Sequence, residues 1–204
     1  MNHMYQAVAY TQLAVWKLFY SIIQLRDSSP ERQREESSIS LSQNYNMFVS
    51  DASCVLSTAH GSIYVGSAKN AADWYFLDTN NVQAVVNVTE EIPNFYSNHL
   101  AYHNIVIGDV EGANMGTSSI ADAVAFIDDQ LREGKSVLVH CFMGRSRSVA
   151  IVCAYLMTHL NMGLDDAYEQ VKENRPNINI NNSFYDTLID YVSDMQTVPT
   201  LFVQ

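Results

Sequence analysis

Basic residues are scarce in this chain: 11 Lys+Arg face 22 Asp+Glu over 204 residues, a formal charge of −11. The deficit excludes a protein whose affinity comes from a broad basic face on nucleic acid or anionic lipid, although it leaves room for a small cationic pocket. Cysteine is also sparse. Cys54, Cys141 and Cys153 are an odd, widely spaced set with no Cys-x-x-Cys pair and no His/Cys cluster of zinc-site spacing. Neither a disulfide framework nor a metal site is expected, and a reducing compartment, cytoplasmic and/or nuclear, is the simpler reading. Each thiol then needs its own explanation. Proline and glycine number only 4 and 8, while 48% of the residues are apolar and 16% charged. That composition excludes disorder over most of the length and suits one globular domain with an extension. No internal repeat is visible. No apolar run is long enough to span a bilayer, because Gln6, Thr11, Gln12 and Lys17 interrupt the most hydrophobic stretch. The same stretch lacks the basic start and small-residue cleavage site of a signal peptide.

What is present divides the chain. Tyr5, Val8, Val15, Trp16, Phe19, Ile22 and Ile23 recur at helical spacing, so residues 1–26 read as one hydrophobic helix. It could brace its own domain, form a homodimer or lie on a membrane surface. Residues 27–46, with Ser28, Ser29, Ser37, Ser38, Ser40 and Ser42 among Pro30, Arg34, Glu35 and Glu36, have linker composition. Residues 47–197 form the expected folded domain and 198–204 a tail. Within that domain β-like runs at Ser62–Gly66, Val82–Val88, His103–Ile107 and Ser136–His140 alternate with helical patterns at Ala68–Asp78 and Ser118–Glu133. Three more helical patterns follow at Ser148–Leu160, Leu164–Glu173 and Asn182–Met195. Such alternation predicts an α/β fold: a central, mainly parallel twisted sheet with helices on both faces, plus the N-terminal helix.

The run Ser136-Val137-Leu138-Val139-His140 leads straight into Cys141-Phe142-Met143-Gly144-Arg145-Ser146-Arg147-Ser148, and an apolar helix begins at once. A thiol on the loop between a buried strand and a helix N-terminus sits where backbone N–H groups can curl around an anion, helped by the helix dipole. Arg147, six residues after the cysteine, can hold two phosphate oxygens bidentately, as a lysine could not. Gly144 permits the tight turn. The helix end and the guanidinium should favour the thiolate of Cys141, a nucleophile toward phosphorus.

The pattern His-Cys-x-x-Gly-x-x-Arg-Ser resembles the signature loop of the cysteine-dependent protein phosphatases, and its surroundings resemble the dual-specificity branch. The similarity runs over about residues 57–190 and includes Gly61–Ser67, Val85–Thr89, Ala154–Met157 and Arg175-Pro176-Asn177-Ile178 with Asn181, Asn182 and Phe184. The resemblance implies a dual-specificity-phosphatase-like fold and hydrolysis of phosphotyrosine and phosphoserine/phosphothreonine through a cysteinyl-phosphate intermediate, with no metal or cofactor. It implies that Ser148 stabilises the departing thiolate and that residues 142–147 bind the phosphate. His140 is read as a supporting residue that orders the loop. A proton donor for the leaving oxygen should stand on a neighbouring mobile loop. Asp109, between Gly108 and Gly112 and 32 residues before Cys141, fits that place, with Glu111 as the fallback.

Other readings of the same scaffold remain open. A phosphoinositide phosphatase would want a strongly cationic loop, for which Arg145 alone speaks. An RNA 5′-phosphatase would need basic surface that the chain lacks. A phosphoprotein-binding module would lack the nucleophile or the acid. The expected partner is a phosphorylated protein, with no nucleic acid and no transmembrane segment. Cys153, on the apolar helix, and Cys54, near the first strand, are read as structural. Residues 57–194 carry seven Lys+Arg against 17 Asp+Glu. Attraction of a phosphate dianion must therefore come from short-range donors, and phosphosites flanked by neutral or basic residues should be preferred.

Overall fold

The computed structural model describes Ala14 and residues 52–197, with side chains to residue 194. Apart from Ala14, the hydrophobic helix of 1–26 lies outside the described residues, as do the linker of 27–46, residues 47–51 of the expected domain, the dimer contact assigned to that helix and the 198–204 tail. Among the described residues five strands form one sheet: β1 (Ser53–Ser57), β2 (Ser62–Gly66), β3 (Val82–Asn87), β4 (Ala101–Asn104) and β5 (Ser136–His140), in the order β1-β2-β5-β3-β4. The pairs β2/β5, β5/β3 and β3/β4 are parallel, and only β1 runs antiparallel, at the edge. The mainly parallel sheet expected from the alternating pattern is therefore the observed one.

Side-chain alternation assigns each face of the sheet its helices. Val85 and Leu138 point to one face and pack with α1 (Ala68–Ala72) and α2 (Trp74–Thr79). Ile63, Val65, Ala84, Val86, Val137 and Val139 point to the other. There they meet α3 (Thr117–Arg132), α4 (Arg147–His159), α5 (Leu164–Asn174) and α6 (Asn182–Thr197). β5, buried at every residue, is the central strand, and residues 147–157 of α4 are buried on all sides. A helix so enclosed can be apolar all round, and past Arg147 and Ser148 its buried residues are, from Val149 to Met157.

Three details differ from the sequence pattern. The antiparallel β1 stands outside the expected strands, because only Val55 of its five residues is buried and no strong alternation marks it. The helix expected over Ala68–Asp78 is two helices, since Asp73 adopts an extended conformation that ends α1 and its Oδ1 accepts the Phe76 N–H at 3.2 Å to cap α2. The fourth strand ends at Asn104 rather than Ile107, because its neighbour β3 ends at Asn87. Ile105 still donates to Asn87 O at 2.9 Å, and Ile105 and Ile107 remain buried beyond the strand end.

The parallel strands β2, β5, β3 and β4 deliver their C-terminal ends to one edge of the sheet, the place where α/β sheets build sites. Four loops converge there: Ser67–Ala68 after β2, Cys141–Ser146 after β5, Thr89–Ile92 after β3 and Ile105–Gly112 after β4.

Candidate active site

Five successive carbonyl groups of the Cys141 loop are held by donors around it. His140 Nδ1 lies 3.3 Å from Cys141 O, and Ala68 N–H donates to Phe142 O at 3.1 Å. Arg175 donates from Nη2 to Met143 O at 3.2 Å and from Nε to Gly144 O at 2.6 Å. Asn179 N–H donates to Arg145 O at 2.8 Å. In a trans peptide the N–H points away from the preceding C=O, and no described peptide is cis. Tethering the carbonyls of 141–145 outward therefore turns the N–H groups of 142–146 toward the opposite side, the interior of the loop. The Gly144 N–H demonstrates the direction by donating to Cys141 Sγ at 3.2 Å.

Gly144 is required here on two counts. Its φ is +69°, and a Cβ would overlap the Gly66 carbonyl oxygen and approach Arg175 Nη2 to 2.9 Å. Cys141 itself is 1% exposed, at the floor of the loop. Ser148, fully buried in the first turn of α4, donates from Oγ to Sγ at 3.4 Å. His140 is buried with Nε2 lacking a partner, and burial, with the Arg147 charge as a lesser cause, pushes its pKa down to about 4. The ring is neutral at physiological pH. Its Nδ1 then carries the proton toward the Cys141 carbonyl.

Arg147 is 3% exposed and fully engaged on one side. Nη1 donates to Glu91 Oε2 at 2.9 Å and to Ile107 O at 3.0 Å, and Nη2 donates to Glu91 Oε1 at 2.8 Å. Burial opposes the charged guanidinium, but the hydrogen bonds to Glu91 and the negative groups at Cys141, Glu91 and Asp109 outweigh it and raise the pKa further. Asp109 sits at the other edge: its Oδ2 is 3.7 Å from Arg147 Nε, and its Oδ1 accepts from Ser146 Oγ at 3.1 Å. Ser146 Oγ in turn accepts the Asn181 N–H at 3.1 Å. The loop that carries Asp109 is anchored again where Gly112 N–H donates to Ser183 Oγ at 2.7 Å. Glu111, the fallback, is exposed and joins none of these contacts.

The remaining loop side chains face outward. Arg145 donates from Nε to Asn177 O at 2.6 Å and is otherwise exposed. Met143 is exposed at the rim, while Phe142 packs against the α1–α2 cluster. Cys153 is buried in α4, and burial drives its thiol pKa up to about 12, the signature of an inert core thiol. Cys54 lies exposed on β1, where its Sγ approaches Leu56 O at 3.5 Å.

Two charged residues that sequence reasoning did not place in the site are thus part of it. Arg175 was visible only as part of a family-like segment; its burial at 8% exposure marks it as a clamp. Glu91 follows a strand end by four residues, and only the order β5-β3 sets it beside Arg147, 56 positions away.

Comparison with known proteins follows this geometry closely. The dual specificity phosphatase catalytic domain model matches residues 63–194. Human dual specificity protein phosphatase 9 is 37% identical over 132 residues, which is 64% of this chain and 34% of that protein. The crystal structure of human DUSP28 superposes with a TM-score of 0.66 at 27% identity, covering 72% of this chain and 96% of that one. The human tyrosine phosphatase-like serine/threonine/tyrosine-interacting protein superposes with a TM-score of 0.66 at 25% identity, covering 72% and 98%. The match spans about a third of the length of the curated relatives. Since the matched segment contains every group gathered around Cys141 except Ser53, whose Oγ accepts from Arg175 Nη1 at 3.5 Å, the chain belongs to the dual specificity phosphatase family through its catalytic domain.

Proposed function

We propose that the domain hydrolyses phosphotyrosine and phosphoserine/phosphothreonine in proteins through a cysteinyl-phosphate. The observation that carries this reading is the ring of tethered carbonyls, which leaves inward N–H groups and the Arg147 guanidinium around one buried sulfur. Such an arrangement binds three equatorial phosphoryl oxygens and leaves the thiolate in line with the phosphorus. Cys141 attacks phosphorus as the P–O bond to the substrate breaks, and protonated Asp109 gives its proton to the leaving oxygen. The ionised Asp109 then takes a proton from water as that water attacks the cysteinyl phosphate. The S–P bond breaks, the Ser148 hydroxyl donates to the departing thiolate, and phosphate is released. One carboxylate serves both half-reactions.

The presence of Cys141, Arg147 and Asp109 together supports an enzyme over a binding module. The engagement of Arg145 with Asn177 lends no weight to a second phosphate on the substrate. The test is Cys141→Ser, which should abolish turnover of p-nitrophenyl phosphate while leaving inorganic phosphate or tungstate binding measurable; retained turnover refutes the nucleophile. A panel of phosphotyrosine and doubly phosphorylated kinase-loop peptides, an inositol phosphate and triphosphate-ended RNA assigns the substrate class. Within the peptide arm, added flanking acids should slow turnover.

A further inference from the structure

We propose that Glu91 is a positioning residue that dictates which edge of the Arg147 guanidinium meets the phosphate. The inference rests on the phosphate-ester reading above and concerns a carboxylate that the reaction itself does not require. A guanidinium has five N–H donors. In Arg147 both Nη1 hydrogens are used, one on Glu91 Oε2 and one on Ile107 O, and one Nη2 hydrogen is used on Glu91 Oε1. The Nε–H and the second Nη2–H are left over. These two lie side by side on one edge and form the fork that matches two oxygens of a tetrahedral anion. Nε is buried without a hydrogen-bond partner, a situation a folded protein seldom leaves at a charged group unless something else arrives there. Asp109 Oδ2, 3.7 Å from that same Nε, places the open edge on the side of the acid.

Glu91 is itself held still. Its loop is braced by Asn87 Nδ2 donating to Ile92 O at 2.7 Å and Asn94 Oδ1 at 3.0 Å, by Thr89 Oγ1 donating to Asn87 Oδ1 at 2.6 Å, and by Ile92 N–H donating to Thr89 Oγ1 at 3.1 Å. The Glu90 N–H donates to Glu91 Oε2 at 3.1 Å. A carboxylate on a rigid turn, 14% exposed and bidentate to Arg147, leaves the guanidinium one orientation. The arrangement has a cost in charge, because a negative group beside the pocket repels an arriving dianion. Charge and geometry therefore act with opposite signs on anion affinity, and a measurement can separate them.

Inorganic phosphate is the probe, as a competitive inhibitor of p-nitrophenyl phosphate turnover and by calorimetric titration of the Cys141→Ser protein. Glu91→Ala and the isosteric Glu91→Gln should weaken phosphate binding about tenfold or more, although each removes a negative charge. Glu90→Ala removes the same charge from the adjacent position and should leave phosphate binding unchanged or tighter. On an Arg147→Lys background, which has no fork to aim, the Glu91 substitutions should add little. If Glu91→Ala does not fold, Glu91→Gln, with melting temperature measured alongside, carries the comparison. A folded Glu91 variant that binds phosphate as tightly as the natural protein, or tighter, overturns the inference and makes Glu91 a competitor for Arg147. Undiminished losses on the Arg147→Lys background overturn it as well. Because the calorimetric titration reads phosphate binding without turnover, an inactive natural protein would count against the proposed function and leave this result to stand or fall separately.

Discussion

Removing the donors of Arg175 tests the idea that tethered carbonyls shape the anion site. The side chain is 8% exposed and donates to Gly144 O at 2.6 Å, Met143 O at 3.2 Å and Ser53 Oγ at 3.5 Å. Arg175→Ala strips two buried carbonyls of charge-assisted donors, each worth about 1.5–3 kcal/mol. Relief from burying the guanidinium returns part of that loss, so a net destabilisation of about 2–4 kcal/mol is expected. For a domain of ordinary stability, about 5–15 kcal/mol, this is tolerable, and the variant should remain folded at room temperature. Arg175→Met retains most of the aliphatic bulk without the donors and separates packing from hydrogen bonding. Arg175→Lys keeps the charge but cannot serve both carbonyls with one planar fork, and should fall between. Urea unfolding followed by tryptophan fluorescence gives the stability, and the inhibition constant of inorganic phosphate reports the loop. The Met and Ala variants should both weaken phosphate binding, because the Gly144 and Arg145 N–H groups lose their imposed direction. Unchanged phosphate affinity in Arg175→Met, with stability within about 0.5 kcal/mol of the natural protein, would refute the reasoning.

Three further outcomes follow from the same geometry. Asp109→Asn should slow substrates with poor alkyl leaving groups far more than activated aryl phosphates, by about 10²–10⁴-fold against a much smaller loss; equal losses on both would remove Asp109 as the acid. Gly144→Ala should destabilise by about 2 kcal/mol or more, from the left-handed φ of +69° and the overlap with Gly66, and a thermal melt matching the natural protein would contradict it. His140 falls from its usual 6.5 to about 4 on burial. Between those values the unfolded chain binds a proton that the folded chain does not, so this contribution is complete above about pH 6.5 and is lost as pH falls toward 4. The loss amounts to at most about 3 kcal/mol. His140→Asn should flatten the stability profile over that window, and parallel profiles for the two proteins would show that His140 does not set it.

Much of this molecule is readable from local sequence. The strand Ser136–His140, the loop through Ser146 and the start of α4 are contiguous, so spacing alone relates Cys141, Gly144, Arg147 and Ser148, and in the structure Gly144 N–H and Ser148 Oγ both donate to the Cys141 sulfur. Asp109 was legible because it follows an apolar run and is flanked by glycines. The sheet's parallel character followed from alternation, since β-like runs of five to seven residues separated by helical patterns have few other ways to bury both faces. Strand ends were less legible, as at Asn104, because a ladder stops where its neighbour stops and not where its own apolar pattern does.

What residues near in sequence determine about this protein is the nucleophile loop and the helix behind it, because a strand, a turn and a helix N-terminus create an anion site by local backbone geometry. Only the tertiary structure decides how that loop is held and how its arginine is turned. Glu91, Arg175, Asn179 and Ala68 reach it from the ends of other strands and from the segment between α5 and α6. Their roles depend on the order β2-β5-β3, and no periodicity within a segment encodes which strand lies beside which. A buried charge must find its partner wherever packing brings one, and for Arg147 that partner is a carboxylate 56 residues away.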